Sequence, residues 1–286
     1  MARVAVVTDA TCDLPATIVA ATGLQVVPLT VTFGEDSLLA GSELTPAAFY
    51  ARLAGEEVLP TTSQPSPTWF DEAYAACAAD GATQVVSIHC SAALSGTVAL
   101  ARDRAAHAAV DVGVDVEVVD SRLVGGALGA AVLAAHRVAA AGGGVGEVVA
   151  AARGVMDRSQ SLIVVDTLEH LRRGGRLTGA QAAIGTALKV KPILHLTPQG
   201  RVEVRERART WARALERVGA LAAATASSRP VDVVVAHAVA PLRVEQLWAT
   251  VAQHLDVREQ WETVIGPVVG AHVGPGAVGL VVVPVG

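Results

Sequence analysis

The first half of the chain repeats one phrase: a short apolar run, a polar residue that closes it, then a helical stretch. Residues 3–8 read as a buried strand closing at Asp9, with Asp13 and Pro15 opening the helix that follows. Residues 84–89 form a second such run, followed by a loop over 91–97 and an Ala/Arg-rich helix to about Ala109. Residues 115–119 form a third, ending at Asp120 and Ser121 before a Gly/Ala-rich helix. This alternation predicts a parallel sheet covered by helices on both faces. Ligand crevices of such sheets lie beyond the carboxyl ends of the strands, so Asp9, Ser95 and Ser121 are expected near one edge.

The second half follows a different pattern. Residues 192–196 and 202–204 flank Thr197, Pro198, Gln199 and Gly200, a turn-rich connection that predicts a hairpin and mixed or antiparallel pairing. Helices are expected over 210–226 and 242–254, and strands over 231–236, 259–264 and 278–283. Four glycines within 139–146 end a helix and begin the passage to a second unit. The expected organisation is therefore a parallel-sheet α/β/α domain over 1–158 and a mixed-sheet α/β domain over 159–286. Residues 263–286 carry no formal charge, yet Pro267, Pro275, Pro284 and six glycines would break a membrane helix there. Buried strand plus tight loop is the expectation, with no stable membrane insertion.

Composition narrows the picture. The 286 residues are 52% hydrophobic but only 3% aromatic, so the interior must be built from Ala, Val, Leu and Ile. A net charge of −5 gives no global attraction to nucleic acid. Cys12, Cys77 and Cys90 are odd in number and lack metal or CxxC spacing, which fits free thiols in a reducing cytoplasm. The apolar run at the start is too short for a signal-peptide core.

Four segments could carry chemistry, and each also has an ordinary structural reading. Ser95, Gly96 and Thr97 sit where a strand becomes a helix, as a cap or as an anion site. Leu171 to Arg176 reads as a helix with a glycine stop, in which Arg172 and Arg173 complement the last-turn carbonyls. Arg176 is then either a surface arginine or a guanidinium aimed at a carboxylate or phosphate. His272, flanked by glycines, is the only ionisable side chain in a long apolar stretch. Thr61, Thr62, Ser63 and Ser66 lie in a proline-rich loop that could donate several hydrogen bonds. The arginines at 201, 205, 207, 209, 213 and 217 are interleaved with Glu203, Glu206 and Glu216, the pattern of a solvated face.

Taken in order, these segments resemble the DegV family of fatty-acid-binding proteins. The likeness also includes Thr8-Asp9-Ala10-Thr11-Cys12-Asp13-Leu14-Pro15, Asp120-Ser121, Lys191-Pro192-Ile193-Leu194 and Arg209-Thr210, and runs from residue 8 to about 280. Single motifs are weak; the ordered set is specific. The resemblance implies a two-domain DegV-like α/β fold with a lipid tunnel between the domains. It also implies a long-chain fatty acid such as palmitate or oleate as ligand, with no further cofactor. By position, Thr62, Ser95, Gly96, Arg176 and His272 correspond to carboxylate-binding residues. The family further implies a partner, a fatty-acid kinase that phosphorylates the bound carboxylate for phospholipid synthesis, with Arg209 as a docking residue. On that reading the chain presents a substrate and is not itself an enzyme. Ala10 and Ala92 stand where serines are usual in the family, which removes two hydroxyls near the expected carboxylate end.

Two other classes use the same residues. A serine hydrolase would take Ser95 as nucleophile, His272 as base and Asp9 or Asp120 as orienter, but Ser95 lacks the G-x-S-x-G elbow. A dihydroxyacetone-kinase-like subunit would use His272 to hold a small ketone, and no P-loop is present.

Overall fold

The computed structural model describes residues 3–56, 58–177 and 190–286. In chain order, β1 (Val4–Asp9) runs through a 3-10 turn (Ala10–Cys12) into α1 (Ala16–Thr22), β2 (Gln25–Val27), β3 (Thr30–Phe33), β4 (Asp36–Leu39) and α2 (Pro46–Leu53). Next come β5 (Thr61–Ser63), α3 (Pro67–Ala79), β6 (Gln84–His89), α4 (Thr97–Asp111), β7 (Asp115–Asp120), α5 (Gly126–Ala140) and α6 (Val145–Arg158). The second half holds β8 (Gln160–Val164), α7 (Glu169–Arg173), β9 (Lys191–Leu196), β10 (Val202–Ala208) and α8 (Trp211–Ala226). It closes with β11 (Val231–His237), α9 (Pro241–His254), β12 (Val257–Val264), α10 (Pro267–Val273) and β13 (Val278–Pro284).

The first sheet, ordered β2-β1-β6-β7, is parallel throughout. Its central strands β1 and β6 read as near-continuous apolar runs because helices cover both faces. On one side Phe70, Tyr74 and Cys77 of α3 pack with Ala101 and Ala108 of α4. On the other lie α5 and α6. The second sheet, ordered β10-β9-β8-β13-β11-β12, is mixed: β11 and β12 are parallel and the remaining pairs antiparallel. The outer face of this sheet is closed by α8 and α9, whose buried Leu215, Val218, Ala222, Val244, Leu247 and Val251 follow the three- and four-residue spacing of an apolar stripe. Thr210 caps α8, its hydroxyl accepting from the Arg213 N–H at 3.3 Å. A small antiparallel sheet, β4-β3-β5, leans on α2 and α10.

Helix α5 is the layer the two sheets share. Val234 of β11 and Val281 and Val283 of β13 belong to the same apolar cluster as Leu128, Ala131, Val132 and Ala135 of α5. Contact is this close because α5 lacks side chains at two points. A Cβ on Gly126 would stand 2.8 Å from a Val234 methyl, and one on Gly129 2.7 Å from the Cys12 carbonyl oxygen.

Three expectations require correction. Residues 267–273 form helix α10 and not a loop, because Pro267 occupies its first turn and Gly266 leads in with its N–H held by Asp13 Oδ1 at 3.0 Å. With hardly a polar residue, that stretch shows no amphipathic period. Thr61–Ser63 is a short strand, its loop-like sequence ordered by pairing with β3. Arg172 and Arg173 both turn back to the Glu169 carboxylate, at 2.8 and 2.6 Å, and not to the helix-end carbonyls. The charge-free segment ends in β13, all seven residues of which are buried. Among the described residues, no helix is long and apolar enough to cross a membrane.

Gly129→Val should lower stability by about 1–3 kcal/mol or more in urea denaturation, since the obstacle is backbone. Gly146→Ala in α6, where a Cβ meets nothing within 4 Å, should be neutral or stabilising by up to about 1 kcal/mol.

Candidate functional site

Thr62, Ser95, Arg176 and His272 border one cavity, brought there by β5, the loop before α4, the end of α7 and α10. Thr62 is fixed by the ladder, where it sits opposite Val31. Ser95 follows a tight turn in which its N–H donates to the Ser91 carbonyl at 3.1 Å. Its hydroxyl lies 2.8 Å from that of Thr97 and accepts from the Thr97 N–H at 3.3 Å. The α7 helix stops as the glycines suggested: Gly175 has φ +70°, and the Arg176 N–H returns to the Leu171 carbonyl at 3.0 Å.

Glycine at 174 is required for a second reason. A Cβ there would overlap Nδ1 of His272, so only glycine lets the end of α7 meet the imidazole. His272 Nε2 lies 2.9 Å from Thr62 Oγ1, while Nδ1 is buried with no partner among the described residues. Burial, then the Arg176 charge, then His170, push the His272 imidazole down to about 4, so it is neutral at pH 7. The Nε2–H tautomer leaves only a lone pair unpaired at Nδ1, the cheaper defect. Nε2 then donates to Thr62, whose own O–H is free to donate onward.

Arg176 supplies the positive charge. Its Nε donates to the Leu94 carbonyl at 3.1 Å and Nη1 to the Gly174 carbonyl at 2.6 Å. Nη2 has no hydrogen-bond partner among the described residues. A guanidinium held by two backbone carbonyls, beside a neutral histidine and two hydroxyls, suits an anion with several acceptor oxygens. Gly96 does not border the cavity; it allows the Gln64 side chain to lie where a Cβ would otherwise be. Arg209 is exposed at the β10–α8 connection, away from this cavity.

Beyond the polar end lies an adjoining space. A second cavity shares Val124, Leu171, Val202, Val269 and Val273 with the first and extends between the sheets past Ile163, Leu194, Ala236, Ile265 and Val281. Each has a volume of about 90 Å³. A larger groove of about 1110 Å³, bordered by Pro15, Trp69, His237 and Pro267, contains none of the four polar residues. Size favours that groove, but convergent polar groups favour the smaller pair as the site, because orientation requires them.

The hydrolase arrangement is not assembled. His272 bonds Thr62 and not Ser95, Asp120 accepts the N–H groups of Ala92 and Arg122 at 3.2 and 3.0 Å, and Asp9 is engaged elsewhere. Asp9 Oδ2 is 3.0 Å from His89 Nδ1, His89 Nε2 is 2.6 Å from Ser87 Oγ, and Ser87 meets Tyr74 OH at 3.1 Å, all four residues being buried. Burial alone would raise the Asp9 carboxyl. The bond to His89 and its charge, with the donors of Thr11 and Cys90, hold it below the usual range. Ser121 is likewise interior, donating to the His89 carbonyl at 2.6 Å. Of the three residues expected at the sheet edge, Ser95 alone reaches the cavity, because Asp9 and Ser121 tie the strand ends together.

Sequence reasoning missed Thr11, Gln64 and Cys90, which also border the cavity. Burial pushes the Cys90 thiol up, leaving a small apolar wall. Only their positions within the ordered motifs could have marked them.

The DegV family model, described as that of an uncharacterised protein family, matches residues 3–285. The chain belongs to the DegV family. It is 41% identical over 281 residues to a DegV domain-containing protein of Streptomyces coelicolor, covering 98% of each chain. This DegV chain is also similar to a solved structure from Thermus thermophilus described as fatty acid binding of a DegV family protein. There the TM-score is 0.89 at 34% identity, covering 99% of this chain and 100% of the other. A Bacillus subtilis structure described as DegV, a fatty acid binding protein, gives a TM-score of 0.87 at 31% identity and covers both chains fully.

In the unfolded chain the His272 imidazole takes up a proton near pH 6.5, and in the folded protein only near 4. Its contribution to stability is therefore complete above pH 6.5 and is lost as pH falls through that interval. Ligand-free His272→Gln protein should show a flatter stability profile between pH 6.5 and 4, read by thermal melts. An NMR titration placing the imidazole near its ordinary value would contradict this assignment.

Proposed function

We propose that this chain holds a long-chain fatty acid, with its carboxylate at Thr62, Ser95, Arg176 and His272 and its acyl chain between the sheets. The observation that carries the reading is that a small polar pocket adjoins an apolar one, the two sharing five wall residues. The Thermus thermophilus and Bacillus subtilis relatives described as fatty-acid-binding share the fold over nearly their whole length.

The energetics divide the labour between the two ends. About 14 buried methylenes at roughly 0.8 kcal/mol each offer on the order of 11 kcal/mol before the costs of association. The chain thus supplies affinity. Charge-assisted hydrogen bonds of about 1.5–3 kcal/mol each fix direction and reject neutral lipids. Loaded in this way, the protein presents the carboxylate to a fatty-acid kinase that forms an acyl phosphate, and exposed Arg209 lies on the docking face. The DegV chain itself performs no chemistry in this scheme.

Native mass spectrometry of the purified protein should find one fatty acid per chain. Arg176→Ala should weaken palmitate binding about tenfold to a hundredfold while leaving the already weak binding of methyl palmitate little changed. No acid on the purified protein and no uptake of added palmitate or oleate would sink the reading. With a fatty-acid kinase added, Arg209→Ala should cut acyl-phosphate formation sharply at unchanged palmitate affinity; unchanged turnover would remove Arg209 from the docking face.

A further inference from the structure

Two side-chain oxygens on residues bordering the apolar cavity have no partner among the described residues. Asp13 borders it from the turn after β1, and Ser161 borders it from β8 in the second sheet. Asp13 is 7% exposed, and its two oxygens are used unequally. Oδ1 accepts the Gly266 N–H at 3.0 Å, while Oδ2 is buried with no partner among the described residues. Oδ2 lies 3.5 Å from where a Cβ on Gly125 would stand, and Gly125 borders this cavity but not the larger groove that Asp13 also borders. Ser161 lies opposite Val281 in the ladder, so both side chains face α5 and the tunnel, and Ser161 Oγ is also buried without a partner.

Burial pushes the Asp13 carboxyl up to about 8, with the nearby Asp9 charge adding to the effect and the Gly266 N–H opposing it. At pH 7 the group is therefore mainly an uncharged carboxylic acid with an O–H to give. A neutral acid and a hydroxyl, one from each wall, thus border a space otherwise lined by apolar side chains, glycines and His195. Leaving both unpaired in contact with a methylene chain is costly. A ligand with an oxygen at that depth removes the cost.

We propose that the tunnel is built for an acyl chain carrying a hydroxyl group part-way along its length, received by Asp13 and Ser161. This inference rests on the carboxylate-and-tunnel reading above and specifies which class of fatty acid the tunnel prefers. The hydroxyl donates to one wall group and accepts from the other, and its depth is fixed because the carboxylate is anchored at Arg176. An entirely apolar tunnel would weaken binding of any hydroxylated chain by roughly tenfold or more, since the hydroxyl would lose its water without replacement.

The test is a calorimetric scan of stearate against stearates hydroxylated at successive carbons along the chain, in wild-type, Ser161→Ala and Asp13→Asn proteins. The readout is the affinity ratio of each hydroxystearate to stearate, so that any general change in the tunnel cancels. In the wild type at least one positional isomer should bind as tightly as stearate or more tightly. Its ratio should fall about fivefold or more in Ser161→Ala and be largely retained in Asp13→Asn, which keeps an acceptor for Gly266 and a donor toward the tunnel. If every isomer binds more weakly than stearate, or if the favoured isomer's ratio is unchanged in Ser161→Ala, the proposal is overturned and the two oxygens are satisfied by water. If stearate itself does not bind, the carrier reading fails and this one fails with it. Stearate binding with every isomer rejected overturns the hydroxyl preference alone.

Discussion

The placement of His272 at the polar end depends on one joint, the left-handed turn at Asp13. With φ of 51°, this residue turns the chain out of the 3-10 segment and becomes the point where the second sheet attaches to the first. Its side chain holds the N–H that begins α10, and its carbonyl accepts the hydroxyl of Thr263 at the end of β12. Helix α10 is thus placed by the opening motif of the chain, some 250 residues earlier in sequence. His272 sits near its other end. An aspartate tolerates this conformation better than most residues, and its second oxygen is left without a partner among the described residues.

The chemistry of the site follows from how its charges are supported. Arg176 is held in place because two backbone carbonyls receive its N–H groups. His272 gives up the option of charge because it is buried beside that guanidinium. One fixed positive charge and a set of neutral hydrogen-bonding groups recognise a monoanion through direction. A pocket with two cations would recognise a dianion equally well and would hold it harder.

The β/α alternation of the first half was legible in the sequence because β1 and β6 are buried on both faces and β1, β6 and β7 each end at a polar residue. The hairpin, α8, α9 and β13 were legible for similar reasons of period and turn chemistry. The four polar site residues lay in ordered motifs, so their convergence could be expected from family likeness, but no local pattern shows that Thr62 bonds His272 across 210 positions. Helix α10 was hidden because a helix buried all round carries no amphipathic stripe. The small sheet of β3, β4 and β5 was hidden because its strands are only three or four residues long. The roles of Asp9 and Asp13 were invisible for a different reason: both look like crevice residues in sequence, and only burial distinguishes a carboxylate paired with His89 from a carboxyl left half-unpaired.

Helix α5 has hardly any outside before its last turn, where Arg137 and Ala140 are exposed. Pressed between two sheets, it meets Val234 and Val281 through the gap at Gly126 and Cys12 and Trp261 through the gap at Gly129. A larger side chain on this helix is felt by both sheets at once, and so is a smaller one on either sheet that faces it. The two halves of the molecule are therefore not free to drift apart in evolution as independently folding modules do. Substitutions along this seam should be inherited in matched sets, and exchanging the second half with that of a distant relative should succeed only when α5 travels with it.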